Sequence, residues 1–486
     1  MRAPITLMTQ LAAVLAISTQ SSLPRYQALY EALRQQILDG LLLPGMCLPS
    51  SRMMSDALGF SRNTVITAIE QLCVEGYAQA RAKSGVYILS TVPVRWENQR
   101  AIVTKHQPTI STRGHAILKE SRIPSTRGAF APGIPDIHHF PFTLWQRYLT
   151  RHTRNAPADL FFNQTQGGDL GLRQALADYL RLARGVCCEA RHIIITHGTQ
   201  YSLQLIADLL ANPRDIVWME EPGYAGARAA FTAAHLNIMY QPVDQEGLVC
   251  ATNAWRQPPK LIYTTPSHQY PTGVVMSAAR RRDLLARAAE HHCLIIEDDY
   301  DSEFRYETKP LAALHALVPN QVIYLGTLNK IFFPGLHIGY MVLPDALADD
   351  FRKAQVRLHK EPSYIVQKAL ADFFRDGHAS SYIRKMRSEY QAKRDVLVAL
   401  LQKNLGDTVQ LGGLETGLHL VVYLSKKMND QVIAAKAQEQ GIVVAALSNY
   451  YMHTKPVRSG LILGFGNASV PQIKRAGKVL CKIILI

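Results

Sequence analysis

The sequence predicts a small N-terminal winged helix-turn-helix, then a mostly parallel, doubly wound α/β sheet with a small α+β lobe at its C-terminal end. Three features carry this reading. The first is a pair of apolar runs, 293–297 and 322–326, each ending in polar residues. Strands buried on both faces read as continuous apolar runs, and open α/β sheets place ligands at strand ends. The second is the alternation of strand-like and helix-like segments between 193 and 340, the pattern of a mostly parallel sheet. The third lies near the N-terminus. Two short helical patterns meet there at a Gly-containing turn and run into an alternating hairpin.

The 486 residues fit two or three domains, and 48% apolar content allows a large core. A formal charge of +15 suits a chain that meets nucleic acid or anionic small molecules. The seven cysteines are odd in number and include no C-x-x-C pair. Most sit in apolar runs, as reduced core thiols of a cytoplasmic protein would. The opening MRAPITLMTQLAAVLAIS carries one Arg and an apolar run, but Thr9 and Gln10 interrupt it. We read it as a cytoplasmic helix or an irregular start rather than an export signal. No segment approaches ~20 uninterrupted apolar residues, so no membrane-spanning helix is expected.

Along 24–39, Tyr26, Leu29, Tyr30, Leu33, Ile37 and Leu38 fall on one helical face, with Gly40 as the stop. Ser50 or Ser51 caps a short helix ending at Leu58-Gly59, and Ser61 caps a second that runs to about Glu75. The second opens S-R-N-T, short polar groups and an arginine suited to base edges and phosphates. YAQARAKSGVYIL then alternates as a hairpin with its tip, a wing, from Arg81 to Gly85.

Residues 24–88 resemble the GntR-type winged helix, whose spacing LPSSR, LGFSRNTV, EGY and SGVYI all match. The resemblance implies promoter DNA as a partner. It would be contacted by Arg52, Ser61, Arg62 and Thr64 and, from the wing, by Lys83 and Gly85. Residues 1–90 are thus expected to form the DNA-binding domain. The unpatterned, basic stretch 91–128 reads as a linker, and 129–486 as the effector domain.

That domain opens with the Pro-marked FAPGIPDIHHFPF and a helix from about Phe142. A helix follows Gly167-Gly168, with Leu172, Leu176 and Leu180 on one face. RHIIITHGTQ is a buried strand entering a helix, and Gly198, Thr199 and Gln200 present amides at its N-terminus, a ready anion site. Tyr224 leaves the next strand, DIVWMEEPGY, where it could lie flat on a ring. Asp298 and Tyr300 close the first of the two apolar runs, while Thr327 and Lys330 follow the second. A lysine to form an imine, a carboxylate to hold a pyridine nitrogen protonated and a phenol for the ring oxygen are what a pyridoxal phosphate site needs. From 350 onward, three helical stretches lead into TGLHLVVYLSK and a final small lobe.

Residues 129–486 resemble the fold-type I aminotransferases. The motifs are RGV, IIITHGTQ, EEPGY, TPSHQYPTG, EDDYDSEF and GTLNK, in this order. A winged helix ahead of such a domain is similar to the MocR group of bacterial regulators. The resemblance implies that Lys330 carries pyridoxal 5'-phosphate as an imine, Asp298 pairs with the pyridine nitrogen and Tyr300 with the ring oxygen. Tyr224 would stack on the ring, and Gly198, Thr199, Gln200 and Thr327 would surround the phosphate. Asp299 is the alternative nitrogen partner. Strand alternation favours Asp298, on the face shared with Tyr300.

Three positions depart from the pattern. Tyr270 replaces the amide of Asn-Pro-x-Gly, and His337 stands seven residues after Lys330, where an arginine would grip the phosphate. Ile462 occupies the place of the carboxylate-binding arginine, with Arg458 the nearest cation. These departures favour a regulator over an aminotransferase with an accessory DNA-binding domain. The resemblance further implies a small amine, an amino acid or pyridoxal phosphate itself as effector, and a head-to-tail homodimer.

Overall fold

A computed structural model describes residues 23–90, 109–119, 128–154, 156–162, 166–306, 312–425, 427–452 and 458–485. The stretch read as a cytoplasmic helix or irregular start, 1–18, lies outside them. So does most of the expected linker, 91–108 and 120–127. The chain divides into two compact units, Met1–Thr109 and Ile110–Ile486.

In the first unit, helix α1 is Arg25–Leu38, α2 is Ser51–Leu58 and α3 is Arg62–Val74. The hydroxyl of Ser50 accepts from the Met53 amide and that of Ser61 from the Thr64 amide, so each short helix has its N-cap. Gly59 ends α2 in the left-handed region at φ +68°. Strands β1, Ala78–Arg81, and β2, Gly85–Ile88, pair antiparallel as the wing. Leu29, Leu33, Met54, Val65, Ala68 and Leu72 are buried in one small core. Tyr26, expected on the buried face of α1, is exposed.

The second unit centres on an eight-stranded sheet. Its strands are β3 Ile193–Thr196, β4 Ile216–Glu221, β5 Asn237–Asp244, β6 Gly247–Leu248, β7 Leu261–Thr264, β8 Leu294–Asp299, β9 Val322–Thr327 and β10 Gly339–Val342. They lie in the order β3-β10-β9-β8-β7-β4-β5-β6. Strands β9, β8, β7, β4 and β5 run parallel, while β10 is antiparallel to both of its neighbours. β8 and β9 are buried almost throughout, as continuous apolar runs should be when helices cover both faces. Helices Thr199–Leu210 and Ala225–Ala233 pack one face around Leu203, Ile206, Ala227 and Phe231.

The small lobe is an antiparallel sheet with the order β11-β12-β14-β13, where β11 is Gln410–Gly412, β12 His419–Tyr423, β13 Ala445–Ala446 and β14 Gly460–Gly464. The 28-residue helix His378–Leu405 packs against the terminal helix Val470–Leu485 beside it.

One departure concerns the expected linker. Residues Thr112–Lys119 form a helix that packs on Ala225–Ala233, and the Ser111 hydroxyl accepts from the Gly114 amide at its start. Eight residues with a glycine near the start offer too little period to announce a helix.

Candidate functional site

Six segments that are far apart in sequence bring their ends together at the C-terminal edge of the sheet. Lys330, three residues past β9, turns its side chain inward and donates from Nζ to the Gly133 carbonyl at 2.6 Å. A Cβ at Gly133 would stand 2.8 Å from Nζ, so the approach depends on glycine there. Burial lowers the lysine's proton affinity, while the negative charges of Asp301 and Asp298 oppose that shift.

Asp298 and Asp299 lie within β8, which runs two residues beyond its expected end, and alternation sends them to opposite faces. Asp299 Oδ2 sits 2.7 Å from Arg184 Nε and accepts from Tyr324 Oη at 2.8 Å. Asp298 Oδ2 accepts from Tyr263 Oη at 2.7 Å, but its Oδ1 is buried without a partner among the described residues. Burial pushes the Asp298 pKa up to about 7. The Tyr263 hydrogen bond pulls against that rise, and the charges of Asp299, Glu220 and Asp301 add to it. A buried carboxylate oxygen without a donor fits a protonated ring nitrogen. On this observation, the residues present fit the pyridine of pyridoxal phosphate.

The shifted carboxyl sets an expected pH dependence. Between about 4, its ordinary value, and about 7, the folded protein holds this proton more tightly than the unfolded chain. Ionising Asp298 therefore costs stability as pH rises through that window. In ligand-free protein, Asp298→Asn should melt higher than wild type at pH 8 and at the same temperature near pH 4. Equal melting temperatures at both pH values would show that Asp298 ionises freely.

The remaining expected residues are placed as follows. Gly198 caps helix Thr199–Leu210 at φ +102°, a conformation open to glycine. Thr199 and Gln200 form the first turn, whose amides have no acceptor within a helix. Gln200 is exposed and donates to Tyr224 Oη at 3.1 Å, which ties the expected ring platform to the expected phosphate turn. Thr327 Oγ1 accepts from the Asn329 amide at 3.2 Å, and Asn329 Oδ1 accepts from the Ile338 amide. His337 is exposed at φ +51°. Its charge helps to lower the pKa of His197, next to Gly198, after burial. The histidine thus lies within electrostatic reach of the turn. Tyr300 donates to the His268 carbonyl at 2.9 Å.

Several residues of the site were not legible in the sequence. Tyr263 reaches Asp298 only through the parallel register of β7 on β8. In the sequence His268 reads as part of the turn TPSHQYPTG, and Asp301 as a neighbour of Tyr300. Tyr270, in the place of the amide, shares a 3.0 Å hydroxyl contact with Tyr450. Ile462 is buried with Val421, Tyr423 and Leu447. The Arg458 guanidinium sits 3.7 Å from the Tyr423 ring centroid, and its Nη2 donates to Gln410 Oε1 at 2.6 Å.

In the first unit, Arg52, Ser61, Arg62, Lys83 and Gly85 are exposed and Thr64 is half-buried. Arg62 Nε lies 3.4 Å from Ser51 Oγ, so the starts of α2 and α3 adjoin. The hydroxyls of Ser61 and Thr64 lie 2.8 Å apart, which leaves them as cap and support of α3 in the free protein.

The fold and the site together define an aminotransferase-like α/β domain behind a helix-turn-helix head. Residues 144–460 match the aminotransferases of class I and II, and residues 25–88 match the bacterial regulatory proteins of the gntR family. The chain belongs to the MocR-type transcriptional regulators of the GntR family, with an aminotransferase-like domain. It is 37% identical to the probable rhizopine catabolism regulatory protein MocR of Rhizobium meliloti, across 96% of this chain and 94% of that protein. It is 32% identical to the pyridoxine biosynthesis regulator PdxR of Corynebacterium glutamicum, across 90% and 91%. Among solved structures, a Pyrococcus horikoshii kynurenine aminotransferase superposes with a TM-score of 0.68 at 26% identity. That match covers 78% of this chain and 95% of the enzyme. No described helix is long and apolar enough to cross a membrane.

Proposed function

We propose that this regulator binds promoter DNA through α2, α3 and the wing, and that its large unit senses pyridoxal phosphate or an amine condensed with it. The observation that carries the reading is the unpartnered, buried Asp298 Oδ1, whose carboxylate acts electrostatically on Lys330. When bound, pyridoxal phosphate supplies an aldehyde that a lysine or an effector amine attacks. The protein's part is to deliver Lys330 partly desolvated, to hold Asp298 against the ring nitrogen and to aim Tyr300 at the ring's edge. The amides after Gly198, with Thr327 and His337, would take the phosphate. Two observations favour sensing over turnover: Ile462 is enclosed by apolar side chains, and Arg458 is engaged by Tyr423 and Gln410. The relatives named for rhizopine catabolism and pyridoxine biosynthesis are consistent with an amine or the cofactor itself as effector. A head-to-tail homodimer belongs to the same reading.

The test uses full-length protein on its own upstream DNA, followed by fluorescence anisotropy. Binding should fall on the order of a thousandfold between roughly 50 and 200 mM salt, because phosphate neutralisation dominates affinity. Arg62→Ala should weaken binding about tenfold and leave pyridoxal phosphate uptake unchanged. Pyridoxal phosphate, alone or with a candidate amine, should alter the DNA affinity of wild type. If it binds and DNA affinity never changes, the sensing reading is wrong.

A further inference from the structure

Tyr300 adjoins a polar cluster formed by His268, Asp301 and His419. His268 and Asp301 are 2% and 1% exposed, and His419 is fully buried. Asp301 Oδ1 is 2.9 Å from His268 Nδ1, and Asp301 Oδ2 accepts from the Leu418 amide at 3.1 Å. The side chains meet because residue 417 is glycine. A Cβ there would stand 2.0 Å from His268 Cε1 and 2.6 Å from Asp301 Oδ2. His268 Nδ1 also lies 3.1 Å from Tyr300 Oη, and Tyr300 Oη donates to the His268 carbonyl at 2.9 Å.

A carboxylate against Nδ1 places the imidazole proton on that nitrogen. His268 Nε2 is then a bare lone pair, and it has no partner among the described residues. The Nδ1 proton is shared between a carboxylate and a phenol oxygen, and the phenol returns its own proton to the same residue's carbonyl. His419, whose ring centroid is 4.6 Å from that of His268, donates from Nε2 to the Pro271 carbonyl at 3.1 Å.

We propose that Asp301 and His268 are positioning residues for Tyr300: the carboxylate locks the imidazole, the imidazole braces the phenol, and the carboxylate's charge bears on Lys330. The pair takes over the ring-edge support lost where Tyr270 replaces an amide. It rests on reading the pocket as a pyridoxal phosphate site. Among the charges opposing the effect of burial on Lys330, that of Asp301 comes first and that of Asp298 second. Besides His268, the titratable groups that bear on Tyr300 include Asp301, Tyr270, Asp298 and Glu220.

The test is a double-mutant cycle on the affinity of full-length protein for pyridoxal phosphate. His268→Ala and Tyr300→Phe should each weaken uptake about tenfold. The double variant should also lose about tenfold, because two members of one relay do not act independently. A loss of about a hundredfold in the double variant would overturn the proposal. If His268→Ala does not melt cooperatively, His268→Gln completes the same cycle. A second readout needs no cofactor: acetylation of Lys330 against pH, followed by mass spectrometry. Asp301→Asn keeps an acceptor oxygen but removes the charge, so Lys330 should become reactive at lower pH. An unmoved profile would overturn the role of Asp301. If wild type takes up no pyridoxal phosphate while that profile shifts, the cofactor reading fails and the assignment of Asp301 stands.

Discussion

Wild type is expected to form a borohydride-trapped adduct with pyridoxal phosphate, and replacing Lys330 with alanine to abolish it. The lysine is held at 2.6 Å by one carbonyl, that of Gly133, and its desolvated environment favours the neutral, nucleophilic amine. Tryptic mass spectrometry after reduction should place the adduct on Lys330 in wild type and detect none in the variant. An adduct of equal yield on another lysine would show that Lys330 is not the attachment point. Arg62→Ala should leave the trapped adduct intact, since residue 62 belongs to the other compact unit.

The second large effect is expected at Arg184, a buried arginine of the second unit. Its guanidinium is 4% exposed, pairs with Asp299 at 2.7 Å and donates to Ser267 at 2.6 Å. Arg184→Leu would leave a buried carboxylate with the Tyr324 hydroxyl as its remaining partner among the described residues. Breaking such a pair costs about 3–5 kcal/mol, enough to lower the melting temperature by several degrees. Adding Asp299→Asn should recover much of that loss, because the stranded charge carries most of the cost. If Arg184→Leu melts with wild type, the pair is not structural. Asp298 is the adjacent residue of β8, so a disturbed Asp299 should also weaken pyridoxal phosphate uptake.

Much of this molecule is legible because its signals are local. Ser50 and Ser61 announce their helices, and uniform apolar runs announce β8 and β9. One residue of alternation separates the faces of Asp298 and Asp299. What the sequence hides depends on register and closure. Tyr263 meets Asp298 across 35 residues, and Leu418 meets Asp301 across 117. Neither pair has a spacing that could be read before the sheet order was known. Insertion of β10 between β3 and β9 is equally non-local, since the two faces of a strand do not say which neighbours it takes. Gly417, whose small size lets His268 and Asp301 touch, reads in the sequence as an ordinary turn glycine.

The helix Thr112–Lys119 changes how the two units are tethered. Because it is docked on Ala225–Ala233, the connection from the head ends at Thr112 rather than at Gly128. Fewer residues between two attached bodies raise the concentration at which each meets the other's ligands. That effective concentration follows the length and stiffness of the connection and the span it must bridge. The docking surface is the helix whose N-terminal neighbour is Tyr224. The connection from the head therefore ends on the helix that begins after Tyr224, the residue proposed as ring platform.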